Sequence, residues 1–321
     1  MINQYRDISF PFFGIEINPI RTIPIGSFHL YIYGLLIGIG LMMAVVYGWR
    51  RCKEFGIKQD DITDGVLWIV PVAIICARMY YCIFEWDYYG KNPLQILALR
   101  DGGLAIYGGV IGAVIGVIVY CYFKKIKLPA LLDLVMLGFL IGQAVGRWGN
   151  FFNREAFGAE TDIFIRMGLK NVYTGLYTYH HPTFLYESLW NVVGFVLLHF
   201  LSKKRQYDGQ IALGYVAWYG VGRTFIEGLR MDSLMWGPIR VSQVLAGSSA
   251  IIAAVVLFIL STRQHDPAKL FVNQIAVAEE AESEEEDDDD EDGDDEEVEE
   301  EEETEETEEP QEEASEELEK D

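Results

Sequence analysis

The sequence is poor in the residues that build metal centres and disulfide frameworks. It contains four cysteines, none of which forms a C-x-x-C pair, and five histidines, of which only His180 and His181 are neighbours. These spacings match no zinc-site pattern. We therefore expect no metal site, and we interpret the cysteines, which lie in or beside apolar runs, as small buried hydrophobic residues.

The N-terminus lacks the features of a cleaved signal peptide. Residues 1–20 contain Asp7, Glu16 and two prolines, and no basic start precedes an uninterrupted apolar core. We interpret residues 1–26 as an arm on the outer membrane interface instead.

Basic residues are almost absent from the C-terminal part of the chain. Residues 279–321 contain 31 of the 49 acidic residues and one base, Lys320, which leaves 18 acidic and 24 basic residues in residues 1–278. A segment with so few apolar residues cannot bury enough surface to offset its ordering entropy. We therefore predict a disordered acidic tail at 279–321, joined by a cytoplasmic linker at 263–278 to a basic and apolar body.

Charge is also scarce within seven apolar segments of that body, each long enough to cross a bilayer. Basic clusters follow every second segment, for example Arg50 and Arg51 after the first. The positive-inside rule therefore predicts an outside N-terminus and a cytoplasmic C-terminus. The sequence indicates an all-α polytopic membrane protein with a seven-helix body at 27–262 and a small extracytoplasmic segment at 153–182. The predicted spans are 27–49, 62–84, 103–123, 131–152, 183–202, 209–229 and 242–261.

The polar residues inside these segments gather in the half of the membrane that faces outward. They lie early in the inward-running spans and late in the outward-running spans, whereas the inner half offers only Asp64 and Asp133, each near a helix start. An arginine at the centre of a membrane helix costs about 2.5–3.5 kcal/mol, so such arginines indicate a carboxylate partner, an anionic ligand or a route to the interface. The pattern predicts one polar site under the outer interface, formed by Tyr33, Arg78, Tyr107, Arg147, Asn150, Glu187, Arg223, Glu227 and Arg230.

Several of these residues also have a purely structural interpretation. Arg147 is compatible with an arginine that reaches the interface from a helix end. Tyr107 is compatible with an interfacial anchor, and Glu187 with a carboxylate that complements a helix dipole. Arg223 and Glu227 are compatible with a pair that neutralises itself in lipid. With Arg230, however, the stripe at i, i+4 and i+7 keeps one unbalanced positive charge, which favours an anionic ligand.

The end of the fourth span carries the most specific motif of the chain, G-R-W-G-N-F-F-N-R-E-A-F-G at residues 146–158. If the helix continues through this motif, Arg147, Asn150 and Arg154 share one face that can hold a phosphate. The motif resembles the signature of the bacterial prolipoprotein diacylglyceryl transferases, and the resemblance extends from about residue 33 to about residue 243. It includes D-G-G-L-A-I-Y-G-G at residues 101–109.

The resemblance implies an enzyme of the bacterial cytoplasmic membrane with its active site in the outer half. Members of the family transfer the diacylglyceryl group of phosphatidylglycerol to the lipobox cysteine thiol of a secreted prolipoprotein, forming a thioether and releasing glycerol phosphate. The implied partners are phosphatidylglycerol, a signal peptide with its lipobox cysteine, and membrane lipid. No cofactor and no nucleic acid are implied, and the partner of the tail is left open.

The resemblance and the chemistry together assign the site residues. We predict Arg147 and Arg223 as the phosphate-binding catalytic arginines, Glu227 as a catalytic carboxylate and Tyr107 as a residue that relays or positions a proton. Many family members carry a histidine where this chain has Tyr107, so the general base stays open. The predicted substrate-binding residues are Arg147, Asn150, Glu155, Gly158, Tyr33, Arg78, Glu187 and Arg230.

Two other classes of function use the same residues differently. A transporter or channel for an anionic solute would use the arginines as a binding ring, and a structural scaffold would use them as buried ion pairs. The polar residues stop at mid-membrane, and the inner half offers no matching pathway. This asymmetry favours the enzyme over the transporter.

Overall fold

Long apolar helices account for most of the chain in the computed structural model, which describes residues 4–26, 28–98, 102–231, 235–237 and 239–281. The helices are α1 (Ile32–Arg51), α2 (Gln59–Phe84), α3 (Trp86–Tyr89), α4 (Ile106–Lys124), α5 (Leu128–Asn153), α6 (Thr183–Ser202), α7 (Gln210–Leu229) and α8 (Val241–Ser261).

Six helices in the described part of the chain are long and apolar enough to cross a membrane, namely α1, α2, α4, α5, α6 and α8. The chain is therefore a predominantly helical polytopic membrane protein, as predicted. The 20-residue helix α7 is not among the six. It contains Gln210, Arg223 and Glu227, and these polar side chains lower its hydropathy.

The first helix starts later than predicted because a β-hairpin precedes it. Phe28–Tyr31 (β4) pairs antiparallel with Thr22–Ile25 (β3), so α1 begins at Ile32 and not at residue 27. The other long helices begin and end within a few residues of the predicted spans.

Neighbouring helices pack antiparallel through small residues. α1 meets α5 where Gly40 faces Gly142, and a Cβ on Gly40 would lie 3.1 Å from the Gly142 carbonyl oxygen. α2 and α4 approach more closely at Gly112, where a Cβ would lie 2.5 Å from the Cβ of Cys76. Lipid tails are as apolar as the helix surfaces, so the hydrophobic effect does not drive these helices together. Close backbone approach at small residues supplies the packing contacts that hold them.

Two tryptophans set the register of α6 against α7. The indole rings of Trp190 and Trp218 stack with their centroids 4.3 Å apart. Each indole N–H donates to the backbone carbonyl of the other residue at 3.0 Å. Gly194 and Gly222 leave room for the rings, since a Cβ on either would lie 2.2 Å from an indole nitrogen.

Short strands form an antiparallel sheet beside the end of α5 and the start of α6. Its order is β2-β1-β5-β6, and all neighbours are antiparallel. The strands are β1 (Tyr5–Phe10), β2 (Ile15–Ile17), β5 (Met167–Asn171) and β6 (Tyr177–His180); a further hairpin, β7 (Met235–Trp236) and β8 (Ile239–Arg240), precedes α8.

The sheet is a small addition to the predicted helical architecture, and it joins two segments that were predicted as separate, the arm at 1–26 and the segment at 153–182. Its buried face carries Ile8 and Leu169, which pack with Phe151 at the end of α5 and Phe184 at the start of α6. The apolar residues of these strands thus complete a core that the helix ends begin.

The chain after α8 divides between two compact units, the first of which ends at Asn273. In the first unit, Phe271 is buried and its backbone N–H donates to Asp208 at 3.0 Å. In the second unit, residues 274–281 are helical. The predicted acidic tail at 279–321 lies outside the described residues from residue 282 onward.

We expect Gly112→Ala to destabilise the α2–α4 pair, because the new Cβ would overlap Cys76. Overpacking of this kind costs about 1–3 kcal/mol. Gly116→Ala is the matched control on the same helix, since a Cβ there would lie no closer than 3.7 Å to Ile69. Thermal unfolding of the detergent-solubilised chain measures the difference. Equal midpoints for the two variants would contradict the tight α2–α4 contact.

Candidate active site

The carboxylate of Glu187, in the second turn of α6, is shared by three arginines. Its Oε2 lies 2.6 Å from Nη2 of Arg147. Its Oε1 lies 3.2 Å from Nη1 of Arg223 and 3.5 Å from Nη1 of Arg230. The Glu187 side chain is 5% exposed, and a buried carboxylate requires partners of this kind.

A second buried carboxylate, Glu227, lies one helical turn from Arg223. Its Oε2 lies 2.5 Å from Nη2 of Arg223 and 3.9 Å from Nε of Arg230. Arg240, at the start of α8, donates to the backbone carbonyl of Glu227. We call Arg147, Glu187, Arg223, Glu227 and Arg230 the arginine cluster. Its three arginines and two glutamates sum to one positive charge.

Local sequence explains why the arginine cluster forms at the helix ends. The i, i+4 spacing places Arg223 and Glu227 on one face of α7, and the helix ends two residues later at Leu229. Arg230 has an extended backbone, which lets its side chain turn back toward both glutamates. The structure thus brings together five of the six charged residues that the sequence placed at one depth, all except Arg78.

Asn150 and Glu155 extend the arginine cluster along the end of α5. Arg147 donates through Nη1 to Oδ1 of Asn150 at 3.5 Å. The Asn150 amide donates in turn to Oε1 of Glu155 at 3.0 Å, and Asn153 donates to the same oxygen at 3.1 Å. Burial lowers the pKa of the Arg21 guanidinium in the N-terminal arm, and the nearby charge of Glu155 opposes this shift.

Arg154 does not share a face with Arg147, contrary to the prediction. α5 ends at Asn153, and Arg154 takes a left-handed backbone conformation with φ +56°. Its guanidinium donates to the Arg6 carbonyl at 2.7 Å and to Oδ1 of Asn18 at 2.8 Å. Burial lowers the pKa of Arg154 to about 10. The residue therefore holds the N-terminal arm.

Gly158 and Tyr33 lie where backbones approach closely. The N–H of Gly158 donates to the His181 carbonyl at 2.9 Å. A Cβ on Gly158 would lie 2.7 Å from the Cβ of His181 and 3.0 Å from the Leu229 carbonyl oxygen. The Tyr33 ring lies against Gly149, where a Cβ would meet it at 2.3 Å. Gly158 therefore allows its backbone to approach His181 and Leu229, and Gly149 leaves room for the Tyr33 ring.

Arg78 and Tyr107 lie apart from the arginine cluster. The Arg78 guanidinium donates to the carbonyls of Ile96, Gly102 and Gly103 at 2.7–2.9 Å. It therefore fixes the loop that leads into α4. Tyr107, at the start of α4, is 66% exposed, and its hydroxyl forms no hydrogen bond within the described residues. Asp101, at the start of the D-G-G motif, lies outside them.

Comparison with known proteins identifies the family. A family model described as prolipoprotein diacylglyceryl transferase matches residues 21–260. The chain belongs to this family. Similar proteins include the phosphatidylglycerol–prolipoprotein diacylglyceryl transferases of Bacillus cytotoxicus and of Bacillus cereus strain G9842, each 45% identical over 249 residues. A protein of the same name from Bacillus anthracis is 44% identical. Each alignment covers 76% of this chain and 92% of the relative.

The matched region of the chain contains the whole arginine cluster, together with Asn150 and Glu155. Strands β1 and β2 of the arm precede it, and the acidic tail follows it. The conclusions drawn from the family therefore concern the helical body.

Sequence reasoning missed Arg21 and Arg240, and it assigned Arg154 to the wrong face. Arg240 was overlooked, although a basic residue directly before the last apolar segment is visible in the sequence. Arg21 and Arg154 act on or beside the arm through contacts between residues more than 100 positions apart, as in the bond from Arg154 to Asn18. No local sequence pattern predicts such long-range contacts.

We expect Glu187→Gln to destabilise this family member strongly, because the change removes the negative charge that three arginines share. Loss of one partner from a buried ion pair costs about 3–5 kcal/mol. Glu160→Gln, at an exposed position between α5 and α6, is the control. The measurement is the thermal unfolding midpoint of each variant in detergent. A Glu187→Gln midpoint equal to that of the control would show that the shared carboxylate does not stabilise the fold.

Proposed function

We propose that the arginine cluster binds the phosphate of phosphatidylglycerol during diacylglyceryl transfer. As a member of its family, the chain is a transferase that moves the diacylglyceryl group from phosphatidylglycerol to a prolipoprotein. One observation supports the arginine cluster as the reaction site. Three arginines converge on two buried glutamates, with one positive charge in excess. The phosphate is the negatively charged group of phosphatidylglycerol, and positively charged hydrogen-bond donors such as these arginines can bind it.

The reaction makes two demands on these residues. The thiol of the prolipoprotein cysteine, with an ordinary pKa near 8.5, must lose its proton before its sulfur attacks the glycerol carbon. As the new S–C bond forms, the C–O bond to the phosphate breaks, and glycerol phosphate leaves with the bonding electrons. Donors already aimed at the phosphate oxygens stabilise the negative charge that grows there.

We propose Arg147 and Arg223 as the donors to the leaving phosphate. Both guanidiniums contact Glu187, which holds them in neighbouring positions. Glu227 holds Arg223 from its other side, and Asn150 contacts Arg147. Planar guanidinium forks bind phosphate through two parallel hydrogen bonds, which a lysine cannot reproduce. The carboxylates thus preorganise the donors before substrate arrives.

We propose that Tyr107 handles a proton at the outer end of α4. Its exposed hydroxyl is accessible to a substrate that arrives from the bilayer. Arg78 supports this role indirectly, since it holds the carbonyls of Gly102 and Gly103 shortly before Tyr107. In this proposal Arg78 is a positioning residue.

We further propose that α7 is a seventh span. It packs antiparallel to α6. Arg223, near its end, lies beside Glu187 near the start of α6, and Gly214, near its start, lies beside Leu198 near the end of α6. On its other side, Gly220 packs against Ala250 of α8. A helix of 20 residues is about 30 Å long, which matches the hydrocarbon thickness of a bilayer. The charges that lower its hydropathy lie at the end that joins the arginine cluster.

The basic helix ends support an orientation with the arginine cluster in the outer half of the bacterial cytoplasmic membrane. Arg50, Lys124, Lys203 and Arg263 lie at the ends of α1, α4, α6 and α8 that point away from the cluster. Such residues favour the cytoplasmic side. In this orientation the site faces the compartment in which a secreted prolipoprotein presents its lipobox cysteine.

Arg147→Lys and Arg223→Lys test the phosphate-binding role, because each keeps the charge and loses the fork. We expect a hundred-fold to thousand-fold loss of rate for each, about 2.7–4 kcal/mol in the transition state. The assay follows thioether formation from a lipobox peptide in vesicles of phosphatidylglycerol. Arg50→Lys, at an exposed position at the opposite end of the bundle, is expected to keep normal activity. Near-normal rates for both cluster variants would remove the phosphate-binding proposal.

Tyr107→Phe tests proton handling separately. Removal of the hydroxyl is expected to slow transfer by about ten-fold to a hundred-fold, within or below the usual range for acid–base groups. The matched control is Tyr122→Phe, on the same helix, because Tyr122 is 81% exposed at its opposite end. The same vesicle assay applies. An unchanged rate would return Tyr107 to the role of an interfacial anchor.

A further inference from the structure

A polar cavity of about 520 Å³ lies at the end of the bundle opposite the arginine cluster. It lies between the inner end of α8, the loop after α6 and the segment after α8. Within the described residues, none of the side chains that line it is acidic. Its principal lining residues are Arg205, Gln206, Arg263, Gln264, His265 and Leu270.

Arg205 brings a half-buried guanidinium to this cavity. Its Nη1 and Nη2 donate to the backbone carbonyls of Ser202 and Glu54 at 3.3 and 2.5 Å, and the group lies 4.1 Å from the ring centroid of Phe55. Its Nε is buried and has no hydrogen-bond partner within the described residues. A guanidinium has five N–H donors, so after the bonds to Ser202 and Glu54 its two terminal nitrogens keep N–H groups from which a ligand in the cavity can accept hydrogen bonds.

The carboxylates nearest Arg205 are engaged with other groups. Asp133 accepts from the backbone N–H groups of Gly209 and Ala212, both at 2.8 Å. Asp208 pairs with Lys127 at 2.9 Å. No ion pair within the described residues joins a carboxylate to Arg205 directly. In the part of the chain that the structure describes, the lining of the cavity therefore keeps a net positive charge. In the arginine cluster, by contrast, two glutamates offset most of the positive charge.

The depth of the cavity matches the level of phospholipid headgroups. α6 ends at Ser202 and α8 at Ser261, and Ser202 lies about 22 Å along α6 from Glu187. Lys203 and Lys204 follow α6 and add positive charge at this level. Basic side chains just beyond a span attract anionic headgroups of the cytoplasmic leaflet. The volume is also within the usual range for small-molecule sites.

We propose that this cavity binds a phosphate group, supplied by the headgroup of an anionic phospholipid in the inner leaflet. Arg205 and Arg263 would donate to the phosphate oxygens as charged donors, and Gln206 and Gln264 would contact the polar part of the headgroup. Leu270 supplies an apolar wall. The site is distinct from the arginine cluster and takes no part in the transfer reaction, so the proposal stands independently of the catalytic assignment.

A local fluorescence signal can separate this site from the outer one. The full chain with Thr262→Cys, at an exposed position beside the cavity, is labelled with an environment-sensitive dye; the unsubstituted chain, carried through the same labelling, sets the background. The protein in neutral detergent is titrated separately with short-chain phosphatidylglycerol, inorganic phosphate and short-chain phosphatidylcholine. We expect a saturable response to phosphatidylglycerol and none to phosphatidylcholine.

Substitution of the arginines decides the outcome. Arg205→Gln with Arg263→Gln should raise the half-saturating concentration by about ten-fold or more, since each removes a charged donor. Arg263→Gln alone should raise it several-fold without touching the bonds of Arg205 to Ser202 and Glu54. Arg50→Gln should leave it unchanged. An equal response to inorganic phosphate would support the phosphate site and identify free phosphate as its ligand. No saturable response, an equal response to phosphatidylcholine, or insensitivity to both arginine substitutions would overturn the proposal.

Discussion

The packing of α5, α6 and α7 depends on the buried carboxylate of Glu187. A charge removed from water is tolerated when it is paired and hydrogen bonded, and this carboxylate contacts Arg147, Arg223 and Arg230. The three partners belong to α5, to α7 and to the residue after α7, so the pairing fixes how these chain segments approach one another. The adjacent Ser188 donates to a backbone carbonyl of α5 at 2.9 Å. Helix packing and charge pairing therefore require the same register.

The signature segment at 146–158 acts on both sides of the point where α5 ends. Before that point, Arg147 forms part of the arginine cluster and Asn150 contacts Arg147. After it, the left-handed turn at Arg154 directs a guanidinium to the N-terminal arm, and Gly158 lets the chain pass close to the end of α7. One short segment thus joins the arginine cluster to the four-stranded sheet. A change in the turn would shift the sheet and the cluster together.

Features with local causes could be predicted from the sequence, whereas features with distant causes could not. The apolar runs located the long helices, and the depth of polar residues in those runs anticipated that Arg147, Glu187 and Arg223 would meet. The strands were missed because β1 and β2 have six and three residues, too few for a periodic signal. Their stability comes from burial of Ile8 and Leu169 against helix ends, a contact that no local pattern encodes. Arg154 was misplaced because the end of α5 depends on a backbone turn.

Shared pairing also governs how substitutions in the arginine cluster should be interpreted. Because Arg147 and Arg223 use the same carboxylate, loss of one changes the surroundings of the other, and their effects are not expected to add. Removal of Glu187 leaves three partly buried guanidiniums poorly paired and so acts first on folding. Replacement of an arginine by lysine keeps the charge that Glu187 needs but removes the planar pair of donors that phosphate needs. Folding and chemistry can therefore be separated in this site by a change of donor geometry at constant charge.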